Sequence, residues 1–91
     1  MSTAKRWTVE VFIDEHGDER ITRAEARLHT NDKTALRGIG TARRNPRDYE
    51  VPEIGDELAA ARALFDLAHQ LLEAAAVDLH ELTRGPAGVH L

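Results

Sequence analysis

Residues 53–83 read EIGDELAAARALFDLAHQLLEAAAVDLHELT, and their periodicity decides the fold. Ile54, Leu58, Ala61, Phe65, Ala68, Leu72, Ala75, Leu79 and Leu82 recur at steps of three and four. That is one face of an α-helix held for about eight turns. Leu64, Leu67 and Leu71 lie beside this stripe and widen it to about half the circumference. A helix so amphipathic needs an apolar partner, and the preceding half of the chain must supply it. The stripe is expected to be the covered face, with Leu72 at its centre.

Moving toward the N-terminus, residues 44–52 (RNPRDYEVP) form a linker. Pro46 and Pro52 interrupt regular structure, and Pro52 suits a helix first turn. Glu53, Asp56 and Glu57 place negative charge where the helix dipole favours it. Residues 36–43 form a strand with Leu36, Gly38, Gly40 and Ala42 on one face. Glycine weakens a strand, but two on the inner face let a helix backbone come close. Asn31-Asp32-Lys33 marks a turn. Residues 6–14 alternate, with Trp7, Val9, Val11 and Ile13 on one side. A two-residue turn at Gly17-Asp18 would pair Ile13 with Thr22, Val11 with Ala24, Val9 with Ala26 and Trp7 with Leu28. It would also set Glu15 against Arg20.

The expected architecture is α+β. A three-stranded antiparallel meander (strands about 6–14, 20–29 and 36–43) is covered on one face by a helix over about 53–83. Gly85-Pro86 stops that helix, and the tail 84–91, ending Val89-His90-Leu91, is expected to dock back. Residues 1–91 make one domain. A chain this short buries only about 60% of its unfolded surface, so its core is marginal. The helix is also longer than the strands. Either it overhangs the sheet or it breaks near Gly55, and an overhanging apolar stripe calls for a second copy of the chain.

Composition narrows the chemistry. The chain has no cysteine, which removes disulfide, zinc-thiolate and thiol-nucleophile chemistry. No apolar leader or membrane-spanning stretch is present, so a cytoplasmic protein is expected. Residues 1–50 carry ten Lys/Arg against nine Asp/Glu, and residues 51–91 carry two against seven. An acidic helix is a poor surface for phosphates. No DNA or membrane partner is expected, and any RNA contact falls to the first half.

Asp66, His69, Glu73 and His80 share an arc of the helix, and Asp66-x-x-His69 has the spacing of di-iron ligands. One helix cannot complete such a site, so the arc reads as a solvated edge with i,i+3 and i,i+4 pairs. His16, His29 and His90 lack a serine elbow, phosphate loop or zinc-protease helix. No catalytic residue, metal or cofactor is assigned, and the chain reads as a non-enzyme. Arg37, Arg43, Arg44 and Arg47 are the candidate RNA or anion contacts. Phe12, Ile21 and Ile39 on the outer sheet face, with Leu64, Leu67 and Leu71 on the helix, are the candidate protein interface.

Several segments carry a family likeness. They are Leu28-His29-Thr30, the Gly38 to Pro46 run, Val51-Pro52-Glu53-Ile54-Gly55-Asp56-Glu57-Leu58-Ala59, Asp66-Leu67-Ala68-His69 and Val89-His90-Leu91. Together they resemble a family of small actinobacterial proteins of unknown function, over almost the whole chain. The resemblance implies a fold like double-stranded-RNA-binding domains and a homodimer. It further implies a stress- or dormancy-associated regulator likened in shape to ribosome hibernation factors. Where double-stranded-RNA domains carry lysines, this chain has Glu53, Asp56 and Glu57, and it lacks their leading helix. The alternative is a protein-interaction or small-ligand module with no RNA role.

Overall fold

A computed structural model of the chain describes residues 3–31, 35–45 and 51–84. Strand β1 (Thr8–His16) is joined to β2 (Ile21–His29) by a short 3-10 turn, Gly17–Glu19. Strand β3 (Arg37–Arg43) follows, then helix α1 (Pro52–Thr83). The sheet is antiparallel in the order β1-β2-β3. This is the expected β-β-β-α architecture.

The first hairpin differs from the expected register. Val9 pairs with Leu28, Val11 with Ala26, Ile13 with Ala24 and Glu15 with Thr22. Each pairing is two residues away from the one expected, and β1 likewise runs to His16 rather than ending at 14. The cause is the turn. Four residues, not two, separate the strands, and Arg20 closes the loop in the left-handed region at φ 56°. Its N–H donates to the Gly17 carbonyl at 3.2 Å. A two-residue shift preserves which side chains share a face, so Ala24, Ala26 and Leu28 remain on the inner side and are buried.

The inner floor of β2 and β3 is made of small residues. Ala24 pairs with Gly40, Ala26 with Gly38 and Thr22 with Ala42. On this floor the helix lays Ala59, Ala63 and Leu67, all buried, with Leu36 and Leu71 packed at the margin. Small side chains on both surfaces bring the backbones together. A Cβ on Gly38 would collide with the Ala63 carbonyl and the Leu67 amide, and one on Gly40 with the Ala59 carbonyl and the Ala63 amide. Close approach of helix and sheet is the purpose of the two strand glycines.

The phase of α1 overturns the expected covered face. Phe65 is 76% exposed and Leu72 is 70% exposed. Ile54, Leu58 and Leu79 also face outward. The long apolar stripe points away from the sheet, and an alanine-rich face about half a turn away is buried instead. Two causes are visible. Large side chains would hold the helix off the flat glycine-alanine floor and forfeit backbone packing. The opposite flank of the buried face is pinned by polar bonds to the free edge of β3. Asp66 accepts the Ile39 N–H at 2.8 Å, Arg62 donates to the Thr41 carbonyl at 2.8 Å, and Gln70 donates to the Arg37 carbonyl at 2.7 Å. Residues 62, 66 and 70 are spaced by one helical turn and meet alternate residues of β3. They take the place of a fourth strand and close an edge that would otherwise invite aggregation.

The helix is continuous through Gly55. At 32 residues it is about 48 Å long, against about 30 Å for the nine-residue strands. It therefore overhangs the sheet, the first of the two alternatives posed by length. Among the described residues no helix is long and apolar enough to cross a membrane. Arg47, Pro46, the Gly85-Pro86 stop, His90 and the docking tail lie outside the described residues.

Candidate self-association surface

Helix α1 sits over β3 and β2 and leaves β1 bare. The flank bearing Arg62, Asp66 and Gln70 faces the β3 edge, so the opposite flank, with Leu64 and Leu71, faces β1. Val9, Val11 and Ile13 share the inner face with Ala24, Ala26 and Leu28 across the hairpin. They nevertheless remain 41%, 38% and 44% exposed. The result is an L-shaped apolar surface. Its floor is β1, its wall is the Leu64 flank, and Leu58, Phe65 and Leu72 continue it over the top of the helix.

The candidate interface residues divide on this geometry. Leu64 belongs to the exposed wall and Leu71 is half-buried at its foot. Leu67 is a correction: it is 3% exposed and belongs to the core. Phe12 lies on the other sheet face, with the Arg27 guanidinium 4.4 Å from its ring centre, a cation–π contact. Ile39 and Ile21 are half-buried.

Arg37 stands apart from Arg43 and Arg44, and Arg47 lies outside the described residues. Arg37 and Arg43 are at opposite ends of β3, about 20 Å apart along the strand. Arg37 is engaged by Glu25 at 3.2 Å, as is Arg27 at 3.1 Å. Hydrogen bonding from Arg27, aided by the charge of both arginines, holds Glu25 below the usual carboxylate range. The Arg44 N–H donates to the Arg20 carbonyl at 2.9 Å. Periodicity alone separated these residues too little in sequence to reveal their separation in space.

Within the helix arc, Asp66, His69 and Glu73 have partners inside the fold. Asp66 is committed to Ile39 and Gln70, while His69 pairs with Glu73 at 2.8 Å on the exposed side. His29 pairs with Glu10 at 2.6 Å and His16 with Asp14 at 3.1 Å. Asp66 as a cap for a strand edge was missed by sequence reasoning, because its partner is a backbone amide 27 residues earlier.

A second feature lies where the helix begins. A cavity of about 390 Å³ opens between the 3-10 turn, the ends of β2 and β3, and the first turns of α1. Glu15, on its lining, approaches Asp56 of α1. A hydrogen bond to Asp56, and its negative charge, raise the Glu15 pKa above the usual glutamate value. Nothing in the sequence pattern joined residues 15 and 56.

The chain and its fold have counterparts among known proteins. Residues 5–88 match the model of the Rv2632c-like family. The chain belongs to the Rv2632c-like family. It is 51% identical over 83 residues to the uncharacterized protein MT1780 of Mycobacterium tuberculosis (strain CDC 1551 / Oshkosh), covering 91% of this chain and 85% of that one. It is 47% identical over 87 residues to Rv2632c of Mycobacterium tuberculosis (strain ATCC 25618 / H37Rv), covering 94% and 90% respectively. The crystal structure of Rv2632c superposes with a TM-score of 0.82 at 42% identity, over 93% of this chain and 98% of that chain. The Rv2632c-like fold is therefore the three-stranded sheet with one long C-terminal helix described above.

Proposed function

We propose that this Rv2632c-like protein is a non-enzymatic regulatory factor that works as a homodimer, its two chains joined over β1 and the Leu64 flank of α1. One observation carries the reading: the largest apolar side chains are on the surface. The chain exposes 7686 Å², against about 5,300 Å² expected of a compact monomer of 10.1 kDa. Its radius of gyration is 18.2 Å, against about 12 Å for a compact chain of 91 residues. A second copy is the fitting occupant. Adding its own β1 along the unpaired edge would bring both helix flanks over the joined strands, an isologous contact that closes on itself. A cytoplasmic, stress- or dormancy-associated role is the setting that the family resemblance suggests for such a dimer.

Sedimentation equilibrium at micromolar concentration tests this. Twice the chain mass is expected for the wild type, and the chain mass for Val11→Asp with its helicity retained. A wild-type monomer of full helicity would refute the dimer.

A second reading, contact with RNA or the ribosome, draws support from the outer sheet face, where Arg23, Arg27, Arg37 and Arg43 share one side. Glu25 neutralises two of them, so the protein-interaction reading is favoured. Co-sedimentation with ribosomes at two salt concentrations separates the readings, since phosphate contacts weaken steeply with salt. Replacing Arg43, Arg44 and Arg47 together by Ala should abolish binding if those residues carry it.

A further inference from the structure

The cavity at the start of α1 has the size and the walls of a ligand site. Its volume of about 390 Å³ lies in the usual range for small-molecule pockets. Val51, Pro52, Ile54 and Leu58 at the helix start, with Ala42 from the sheet, make its walls largely apolar. The charged groups on its lining are mostly cationic: Arg20, Arg43 and Arg44 stand against the single acid Glu15. His16 is there too and is engaged by Asp14 at 3.1 Å.

The charge of the occupant follows from this lining. The chain has 16 Asp/Glu against 12 Lys/Arg, so a cavity lined three to one by arginine runs against the overall balance. Arg27 and Arg37 share Glu25. Among the described residues, neither Arg20 nor Arg43 has a carboxylate in ion-pair range. Arg20 also holds φ at 56°, a conformation costly for residues other than glycine or asparagine. It is fixed there by the Gly17 carbonyl, and its own carbonyl accepts the Arg44 N–H at 2.9 Å. Glu15 opposes an anion less than an ordinary glutamate would, because Asp56 makes it hold its proton more tightly. An arginine fork pairs with a carboxylate through two parallel hydrogen bonds, and one negative charge rather than two suits a lining that retains Glu15. We propose that this cavity binds a small apolar carboxylic acid as its anion. Its carboxylate sits at Arg20 and Arg43, and its hydrocarbon or aromatic part lies against Pro52, Ile54 and Leu58. Every group comes from one chain, so the site stands whether or not the chain dimerises.

Indole-3-propionate is a suitable probe. Tryptamine is a cation of similar shape, and inorganic phosphate is an anion with no apolar part. Amide resonances of the full-length protein are followed as each is added. Indole-3-propionate at millimolar concentration should shift Thr22, Ala42, Gly55 and Leu58, while tryptamine and phosphate leave them in place. Arg20→Gly removes one guanidinium and keeps a residue at ease at this φ, and Arg43→Gln removes the other. Each should weaken the acid about tenfold, the loss expected of a charged hydrogen bond. Arg23→Gln, at an arginine outside the cavity, should bind like the wild type. The proposal is overturned if the acid shifts none of these amides, or if tryptamine or phosphate shifts them as strongly. It is equally overturned if Arg20→Gly or Arg43→Gln keeps the wild-type affinity, or if Arg23→Gln loses as much as they do.

Discussion

Gly38 and Gly40 show how much one hydrogen atom in place of a methyl group controls. At both positions a side chain would strike helix backbone, not a flexible side chain. Gly38→Ala should therefore cost about 3 kcal/mol, the upper part of the range for overpacking, and a urea titration would show the lowered midpoint. Gly17 is a useful control, since nothing lies near where its Cβ would be. Glu15 gives a second test at this scale. Its pKa is raised by Asp56, so the folded chain holds the proton more tightly than the unfolded chain. The resulting stabilisation is complete below the usual glutamate value and is lost as pH rises through the raised one. Thermal midpoints of the wild type should fall relative to Glu15→Gln across that window. Parallel curves for the two proteins would contradict the pairing.

At the scale of the element, α1 has two working faces and one exposed stripe. Asp66→Ala leaves the Ile39 N–H without its acceptor on a partly solvated edge. The expected cost is about 1 kcal/mol, with faster hydrogen exchange at Ile39 and little change elsewhere in β2. The apolar positions separate by phase. Leu67→Ala removes a buried side chain and should cost about 2–5 kcal/mol. Leu72→Ala, which periodicity placed at the centre of the covered arc, should change the stability of the isolated chain by less than about 0.5 kcal/mol. Its effect should appear instead as weaker self-association. Chemical denaturation of both variants at low protein concentration distinguishes the two positions.

For the whole molecule, the core is small. The buried hydrophobic residues among those described are five alanines and two leucines, a modest reserve for a folded chain. If the second copy covers β1 and the Leu64 flank, folding and association are linked. The thermal midpoint should then rise with protein concentration. Calorimetry over a hundredfold concentration range measures this directly, and a constant midpoint would mean that the chain is stable alone.

Alternation in residues 6–14, the turn that pairs them with 20–29, the glycine spacing of β3 and the helical period of α1 were enough to determine the elements and their order. Each is a local property of backbone and side-chain sequence spacing. Register and phase were not local. The hairpin register turned on one left-handed residue, Arg20, whose conformation no composition rule demanded. The helix phase turned on competition between two faces. Hydrophobicity favours burying the leucine-phenylalanine stripe. The glycine-alanine floor admits only the small face, and the β3 edge rewards Arg62, Asp66 and Gln70. The sequence thus determined that a strong apolar stripe exists. Only the tertiary structure decided that the sheet would not cover it, because packing distance and backbone hydrogen bonding depend on what lies opposite.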